Sequence, residues 1–282
     1  MAERLRATGL NATLVLVRHG ESAWIAEGRF QGRQDPALSA LGERQAALVG
    51  ARLAQRDEQT PLPIPPGPPL GVWHSPLTRA AATAQAIAAA QSAPVALHIE
   101  ERLTEIAQGE WEGMPHAQVR ARWPAELDAW RHSPLTSHAP GGEALVDAAR
   151  RVAAALSSLI GTLSAEATVR SPSPSDQVGD VASIERDPVP GYPGSAPAAA
   201  QLEPWAVLVA HDGIFRLALM TLLDVSLERF WSFPFNLCAI TVVALHEGVP
   251  TLRAHNLSEH LAPLAIEARA AEEARGDRRG AL

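Results

Sequence analysis

The sequence predicts an α/β fold: a three-layer α/β/α arrangement around a mostly parallel central sheet. Short apolar runs rich in β-formers alternate with Ala-rich stretches of helical spacing, the pattern of parallel strands covered on both faces. Three of those apolar runs also stop abruptly at polar, charge-bearing residues. In open α/β sheets ligands bind beyond the carboxyl ends of the strands, so such endings mark the side of the sheet that carries a site.

The elements follow in order. Thr13–Val17 (TLVLV) predicts a buried strand ending at Arg18-His19-Gly20-Glu21. Ser39 is placed to cap a helix running to about Gln55, in which Leu41, Ala46, Leu48, Val49 and Leu53 recur at helical spacing. The Pro-rich stretch TPLPIPPGPP then allows neither helix nor central strand. Leu70–Trp73 predicts a second strand ending at His74-Ser75-Pro76, followed by a helix over Leu77–Gln91 and a third strand over Pro94–Ile99. Residues 115–131 and 142–163 predict two more helices, the second with an apolar stripe of Leu145, Ala149, Val152, Leu156 and Leu159.

From about Ala165 to Pro204 the chain is rich in Pro, Ser, Gly and Ala and poor in aromatic residues. It reads as a mobile insertion that buries too little to offset its ordering entropy. Trp205–Ala210 (WAVLVA) is the clearest strand; it ends at His211-Asp212-Gly213 and leads into a helix from about Ile214 to Leu223. Cys238–Leu245 and Thr251–Asn256 predict a strand pair around Glu247-Gly248, and a loose tail begins at about residue 264. The 282 residues suffice for one domain with a sizeable core, and no internal repeat interrupts it.

Composition narrows the chemistry. All 24 basic residues are Arg and none is Lys, which excludes a Walker-type phosphate loop and any Schiff-base mechanism. One cysteine, Cys238, excludes an internal disulfide, a Cys-rich zinc site and an iron–sulfur cluster, and its apolar strand context places it in the core. The net charge of −7 argues against nucleic-acid and anionic-membrane partners. The first residues lack the apolar core of a signal peptide, and no apolar run approaches the ~18 residues of a membrane span, so a cytoplasmic setting is expected.

The strand endings converge on one chemistry. Arg18 and His19 follow the first strand, Ser75 the second with Arg79 one turn into the next helix, and His211 and Asp212 the fourth. Two arginines and two histidines at one sheet edge suit a small, strongly anionic group, with helix N-termini adding backbone donors. Arg offers a planar fork that matches phosphate oxygens. A neutral imidazole can be a nucleophile, and neighbouring cations keep it neutral. A leaving alkoxide needs a proton, so a carboxylic acid belongs nearby; Glu105, Glu110, Glu112 and Glu21 are the candidates.

At these residues the sequence resembles the histidine phosphatase superfamily, the phosphoglycerate mutase-like enzymes. Arg18-His19-Gly20-Glu21 is similar to the family signature. Further similarities follow in order: Gly28-Arg29-Phe30-Gln31-Gly32 with Asp35, Leu38-Ser39 and Gly42; Ser75-Pro76-Leu77 with Arg79 and Thr83; Leu103-Thr104-Glu105 with Gly109, Trp111, Glu112 and Gly113; Pro140-Gly141-Gly142-Glu143; and His211. The resemblance runs from about Thr13 to His260, apart from the insertion. It implies a phosphoglycerate mutase-like fold and a metal-independent phosphomonoesterase acting on a small phosphorylated metabolite. It makes His19 the nucleophile and Glu105 the proton donor; Arg18, Arg79 and His211 hold the phosphoryl group. Gln31 and backbone groups near Gly32 join the phosphate or substrate contacts, and Asp212 is counted with the phosphate-binding positions. Neither a metal nor an organic cofactor is implied.

Three positions depart from that pattern. Ile25 stands where the family commonly has Asn, Asp212 where Gly or Ser often follows the second histidine, and His74 where a small residue is common. Repulsion from phosphate predicts that the Asp212 carboxylate turns outward, while His74 is a candidate extra donor at the rim. Trp24, Phe30, Trp111 and Met114 are divided between core and entrance wall. Two rivals stand beside the phosphatase: a cofactor-dependent phosphoglycerate-type mutase and a non-catalytic phosphate-binding regulatory relative. The oligomeric state is left open, with a homodimer as one option.

Overall fold

The computed structural model describes residues 7–55, 60–170 and 203–268. A single six-stranded sheet of order β3-β2-β4-β1-β5-β6 organises them. β1 (Ala12–Arg18), β2 (Val72–His74), β3 (Leu97–Ile99) and β4 (Trp205–Ala210) run parallel. β5 (Ile240–His246) and β6 (Val249–Leu257) are added antiparallel at the side of β1.

Alternation along β1 explains why the run is apolar throughout. Leu14 and Leu16 face one layer, with Val152, Leu156 and Leu159 of α6 (Leu145–Arg170) and Ile214 and Leu217 of α7 (Asp212–Leu223). Val15 and Val17 face the other layer, with Val49 and Leu53 of α2 (Ala40–Ala54) and Ala80, Ala84 and Ile87 of α3 (Thr78–Ala90). α1 (Ala23–Ala26) is a single turn capped by Ser22 Oγ, which accepts from the Ile25 N–H, and Ser39 caps α2 in the same way by accepting from the Gly42 N–H. That cap lies against the loop after β1, where a Cβ on Gly20 would come within 2.5 Å of the Gly42 carbonyl oxygen, so the close approach requires glycine.

The sheet register sets the site. Arg18 pairs with Ala210 and His74 with Val209. The His19 and Ser75 N–H groups donate to the Ala210 and Val209 carbonyls, both at 3.0 Å. The ends of β1, β2 and β4 therefore lie side by side, and His19, Ser75 and His211 emerge in one row.

Several boundaries differ from the sequence expectation. The single helix expected over 115–131 is two, α4 (His116–Arg122) and α5 (Pro124–His132). Trp123, restricted by the following proline, leaves the helical region at φ −132 and ψ 58. The helix expected over 142–163 starts at Leu145 and runs to Arg170, into the segment read as insertion. Ala165, Glu166 and Ala167 are good helix formers that extend it. The rest of the expected insertion, residues 171–202, lies outside the described residues, as does the tail from 269. Only Leu97–Ile99 of the expected third strand pairs. Cys238, expected in a strand, precedes β5 in a left-handed turn at φ 52, with its N–H on the Arg18 carbonyl. It is buried, which pushes its thiol up to about 12. The turn at Glu247-Gly248 has φ of 50 and 81, the signs a tight hairpin requires.

Candidate active site

His19 is 2% exposed at the end of β1. Its Nδ1 lies 2.6 Å from the Gly20 carbonyl oxygen. A carbonyl only accepts, so Nδ1 carries the proton and Nε2 presents a lone pair. Burial first, then the cations of Arg79 and Arg18, hold this imidazole well below its ordinary pKa. His211 stands 5.0 Å away, ring centroid to centroid, in edge-on contact. It is the extended residue that caps α7. Its Nε2 is 2.8 Å from Ser75 Oγ, and its Nδ1 is buried without a partner. Burial and the neighbouring Arg79 lower its pKa in the same way.

The two arginines are fixed by main-chain carbonyls. Arg79, wholly buried in the first turn of α3, donates through Nη1 to Gln34 O at 2.7 Å and through Nη2 to Gly32 O at 2.9 Å. Burial brings it down to about 10, so it stays cationic at neutral pH. Arg18 donates through Nη1 to Phe235 O at 2.6 Å. The Nε atoms of both arginines are buried without partners. Arg18 Nε and Arg79 Nε are thus unsatisfied buried donors around the histidine pair, joined by His211 Nδ1 in the tautomer whose Nε2 accepts from Ser75 Oγ, a costly arrangement unless an anion receives them.

Glu105 lies in an irregular segment between two short 3₁₀ turns, Glu101–Leu103 and Gly109–Trp111. Its Oε1 accepts from the Ile106 N–H at 2.9 Å. Gly213 lets this carboxyl approach the start of α7: a Cβ there would fall 2.8 Å from Glu105 Oε1. Burial pushes the Glu105 carboxyl up and the Asp212 carboxylate adds to the rise, against the Ile106 bond and the cations of Arg79 and Arg18. The rival carboxylates are engaged elsewhere. Glu21 accepts from Ser39 Oγ at 2.7 Å, Glu110 faces Arg122 at 3.9 Å, and Glu112 accepts from the Arg33 and Gln108 N–H groups at 3.0 and 2.8 Å.

The remaining expected positions act mainly through their surroundings. Gln31 Oε1 accepts from Ser22 Oγ at 2.5 Å, and the Gly32 carbonyl receives Arg79, so the two shape the loop that holds this arginine. Asp212 Oδ2 accepts from Arg216 Nε at 3.0 Å, pairing the carboxylate with α7's own arginine, while its Oδ1 is buried without a partner. His74 is buried with Nδ1 on the Ser75 carbonyl, not at a rim. Trp111 is fully buried, whereas Phe30 and Met114 pack half-buried against the same core. Ile25 lines a cavity of about 580 Å³ beside Arg18, together with Gln45, Asn236, Leu237 and Leu261.

Sequence reasoning missed several supporting contacts. Thr83 Oγ1 accepts from the Gly20 N–H at 3.1 Å and donates to Arg79 O at 2.8 Å, tying the nucleophile's loop to α3. The Ser75 contact with His211 and an Arg151–Glu143 ion pair behind Glu105 were equally unforeseen. The only signal was that Thr83, Ser75 and Glu143 fall within the motif blocks.

The family model for the histidine phosphatase superfamily (branch 1) matches residues 14–169 and 196–258. Phosphoserine phosphatase 1 of Hydrogenobacter thermophilus is 30% identical over 258 residues, covering 90% of this chain and 97% of that protein. The phosphoglycerate mutase of Schizosaccharomyces pombe is 37% identical over 141 residues, covering 49% of this chain and 62% of that one. Among solved structures, a mycobacterial glucosyl-3-phosphoglycerate phosphatase complexed with VO3 superimposes with a TM-score of 0.65 at 25% identity, covering 88% of this chain and 100% of that chain.

Proposed function

We propose that this chain, which belongs to the histidine phosphatase superfamily and is a phosphoric monoester hydrolase, works through a phosphohistidine on His19. The observation that carries this reading is the neutral His19 set among three buried donors without partners: Arg18 Nε, Arg79 Nε and His211 Nδ1. Those donors fit the equatorial oxygens of a transferring phosphoryl group, whose charge they offset without reorganising.

The reaction then runs in two steps. His19 Nε2 attacks phosphorus; the P–O bond to the alcohol breaks, and the Glu105 carboxylic acid gives its proton to the departing oxygen. Glu105, now a carboxylate, takes a proton from water whose oxygen attacks phosphorus. The P–N bond breaks, releasing inorganic phosphate and restoring His19 and protonated Glu105. The raised pKa of Glu105 suits it to hold a proton for the first step.

The substrate in this reading is a small organic phosphate, held by its phosphoryl group among Arg18, Arg79 and His211. Phosphoserine and glucosyl-3-phosphoglycerate, named for the relatives, head the panel to test. A cytoplasmic setting goes with such a metabolite; among the described residues no helix is long and apolar enough to cross a membrane.

The test is hydrolysis of a panel of metabolite phosphates in excess chelator, with rapid quenching into alkali to trap an acid-labile phosphoenzyme. We expect phosphate release, a labelled His19, and loss of both in His19→Ala. Turnover surviving in that variant would overturn the nucleophile. Isomerised rather than hydrolysed phosphoglycerate would make the chain a mutase, and the absence of turnover on every ester would leave a binding protein.

A further inference from the structure

We propose that Arg151, clamped by Glu143, is the positioning residue that holds Glu105 in line with the leaving oxygen. The inference rests on the assignment of Glu105 as proton donor. Arg151 projects from α6 into the irregular segment that carries Glu105, and the two partners' side chains are only 17% and 13% exposed. Its Nη1 donates to the carbonyls of Arg102 at 2.6 Å and Thr104 at 2.5 Å. Its Nη2 donates to the Glu105 carbonyl at 3.2 Å. Nε and Nη2 grip the two Glu143 carboxylate oxygens, each at 2.8 Å. These five bonds match the five N–H donors of a guanidinium, so the fork is fully used.

Glu143 closes the other side. Its Oε2 accepts from the Ala107 N–H at 3.4 Å and faces Arg33 Nη2 at 3.1 Å, while its own N–H donates to the Ala107 carbonyl at 2.9 Å. Arg33 Nε reaches the Glu105 carbonyl at 3.3 Å. The backbone from 102 to 107 is thereby folded around one guanidinium, with Glu105 at its centre. No strand ladder or α-helix fixes this segment, so these side chains set the course of the backbone that carries Glu105, while its carboxyl accepts from the Ile106 N–H at 2.9 Å and the Gly213 N–H at 3.5 Å. None of these side chains is among the unpartnered buried donors around the histidine pair. Their loss is therefore felt chiefly where a proton must reach the leaving group, because a misaimed acid loses its reach by tenths of an ångström, and a variant that keeps the Arg151 charge also keeps its field at His211.

The experiment compares kcat/KM, which reports the phosphoryl-transfer step, for an alkyl phosphate and for 2,4-dinitrophenyl phosphate, whose leaving group departs without a proton. Arg151→Lys keeps the charge but not the fork. We expect the alkyl ester to lose about 10- to 100-fold, the scale of losing an orienting partner, and the dinitrophenyl ester no more than about threefold. Glu143→Gln should show the same asymmetry more weakly. Equal losses on both esters, or none, would overturn the proposal. Should Arg151→Lys fail to fold by circular dichroism, Glu143→Gln decides alone. Glu105→Gln in parallel separates the two claims. If it shows no leaving-group dependence, the proton-donor assignment falls; if it does and the Arg151 and Glu143 variants do not, only the positioning role falls.

Discussion

The phosphoryl-holding half of the site and its proton-moving half are built by different means. Arg18, His19 and His211 hang directly on the ends of β1 and β4, whose ladder registers set their spacing, and Arg79 is carried by the first turn of α3. Glu105 sits instead on a segment without regular pairing, shaped by Arg151, Glu143, Arg33 and the Ile106 N–H. A ladder fixes positions through main-chain bonds that any buried sequence makes. A side-chain network fixes them through a few named residues and is lost with them. The first half should thus respond to mutation through charge and hydrogen bonds to phosphate, the second through the alcohol.

The largest expected effect breaks the second half. Glu105→Gln removes the proton while keeping the shape. kcat/KM for an alkyl phosphate should fall about 10²- to 10⁴-fold, the range of general acid catalysis. The dinitrophenyl ester should be much less affected. Equal losses would place Glu105 in the phosphoryl half and erase the distinction.

Arg79→Gln is the matching test of the first half. It removes a buried cation whose Nε is unsatisfied in the described structure. A fall of about 10²- to 10³-fold is expected, the usual cost of one donor to developing charge. It should be the same for both esters, since phosphoryl charge does not depend on the alcohol. Inhibition by vanadate should weaken with it.

The two halves were also unequally legible in the sequence. Arg18, His19, Arg79 and His211 could be named because buried strands read as apolar runs with sharp ends, and a strand end fixes the position of the next residue. Glu105 could be singled out from its neighbours only by resemblance to a motif. What makes it different from Glu110 and Glu112 is its place beside Asp212 at the start of α7, whereas Glu110 faces Arg122 and Glu112 is taken by the Arg33 and Gln108 N–H groups, and no local pattern encodes this. The Arg151 grip was invisible, because an arginine donating to carbonyls 46 to 49 residues away leaves no periodic trace. The break at Trp123 was written in Pro124, but the apolar spacing continued across it and masked the signal. Asp212 was readable as the first-turn partner of Arg216, four residues on, which is the ordinary helical pairing.

Proton linkage sharpens the comparison further. His211 is held neutral mainly by burial, its pKa well below the usual value. A bound dianion stabilises the imidazolium and raises that pKa, so binding takes up a proton and strengthens as pH falls toward the free value. Sulfate, dianionic throughout the range, should bind up to about tenfold more tightly per pH unit lowered. The Glu105 carboxyl contributes with the same sign, since an anion also favours its protonated form. In His211→Asn the slope should therefore shrink but not vanish. An unchanged slope would assign the linkage to Glu105 and to His19, whose pKa is depressed in the same way.

The smallest effect concerns Ser75, which touches no phosphate in this reading. Its Oγ lies 2.8 Å from His211 Nε2 and accepts from the Leu77 N–H at 3.3 Å. The hydroxyl proton is therefore free to donate to Nε2, which places the ring proton on Nδ1, the buried atom without a partner. Ser75→Ala leaves the ring free to take the other tautomer, which presents a lone pair to a phosphoryl oxygen. Losing one such hydrogen bond costs about 1 kcal/mol, so kcat/KM should fall by roughly five- to tenfold. Because the bond belongs to the strand-end half, the fall should be equal for alkyl and dinitrophenyl esters. A loss confined to the alkyl ester would instead mean that His211 helps to move the proton, and that the ladder and the side-chain network serve one function jointly.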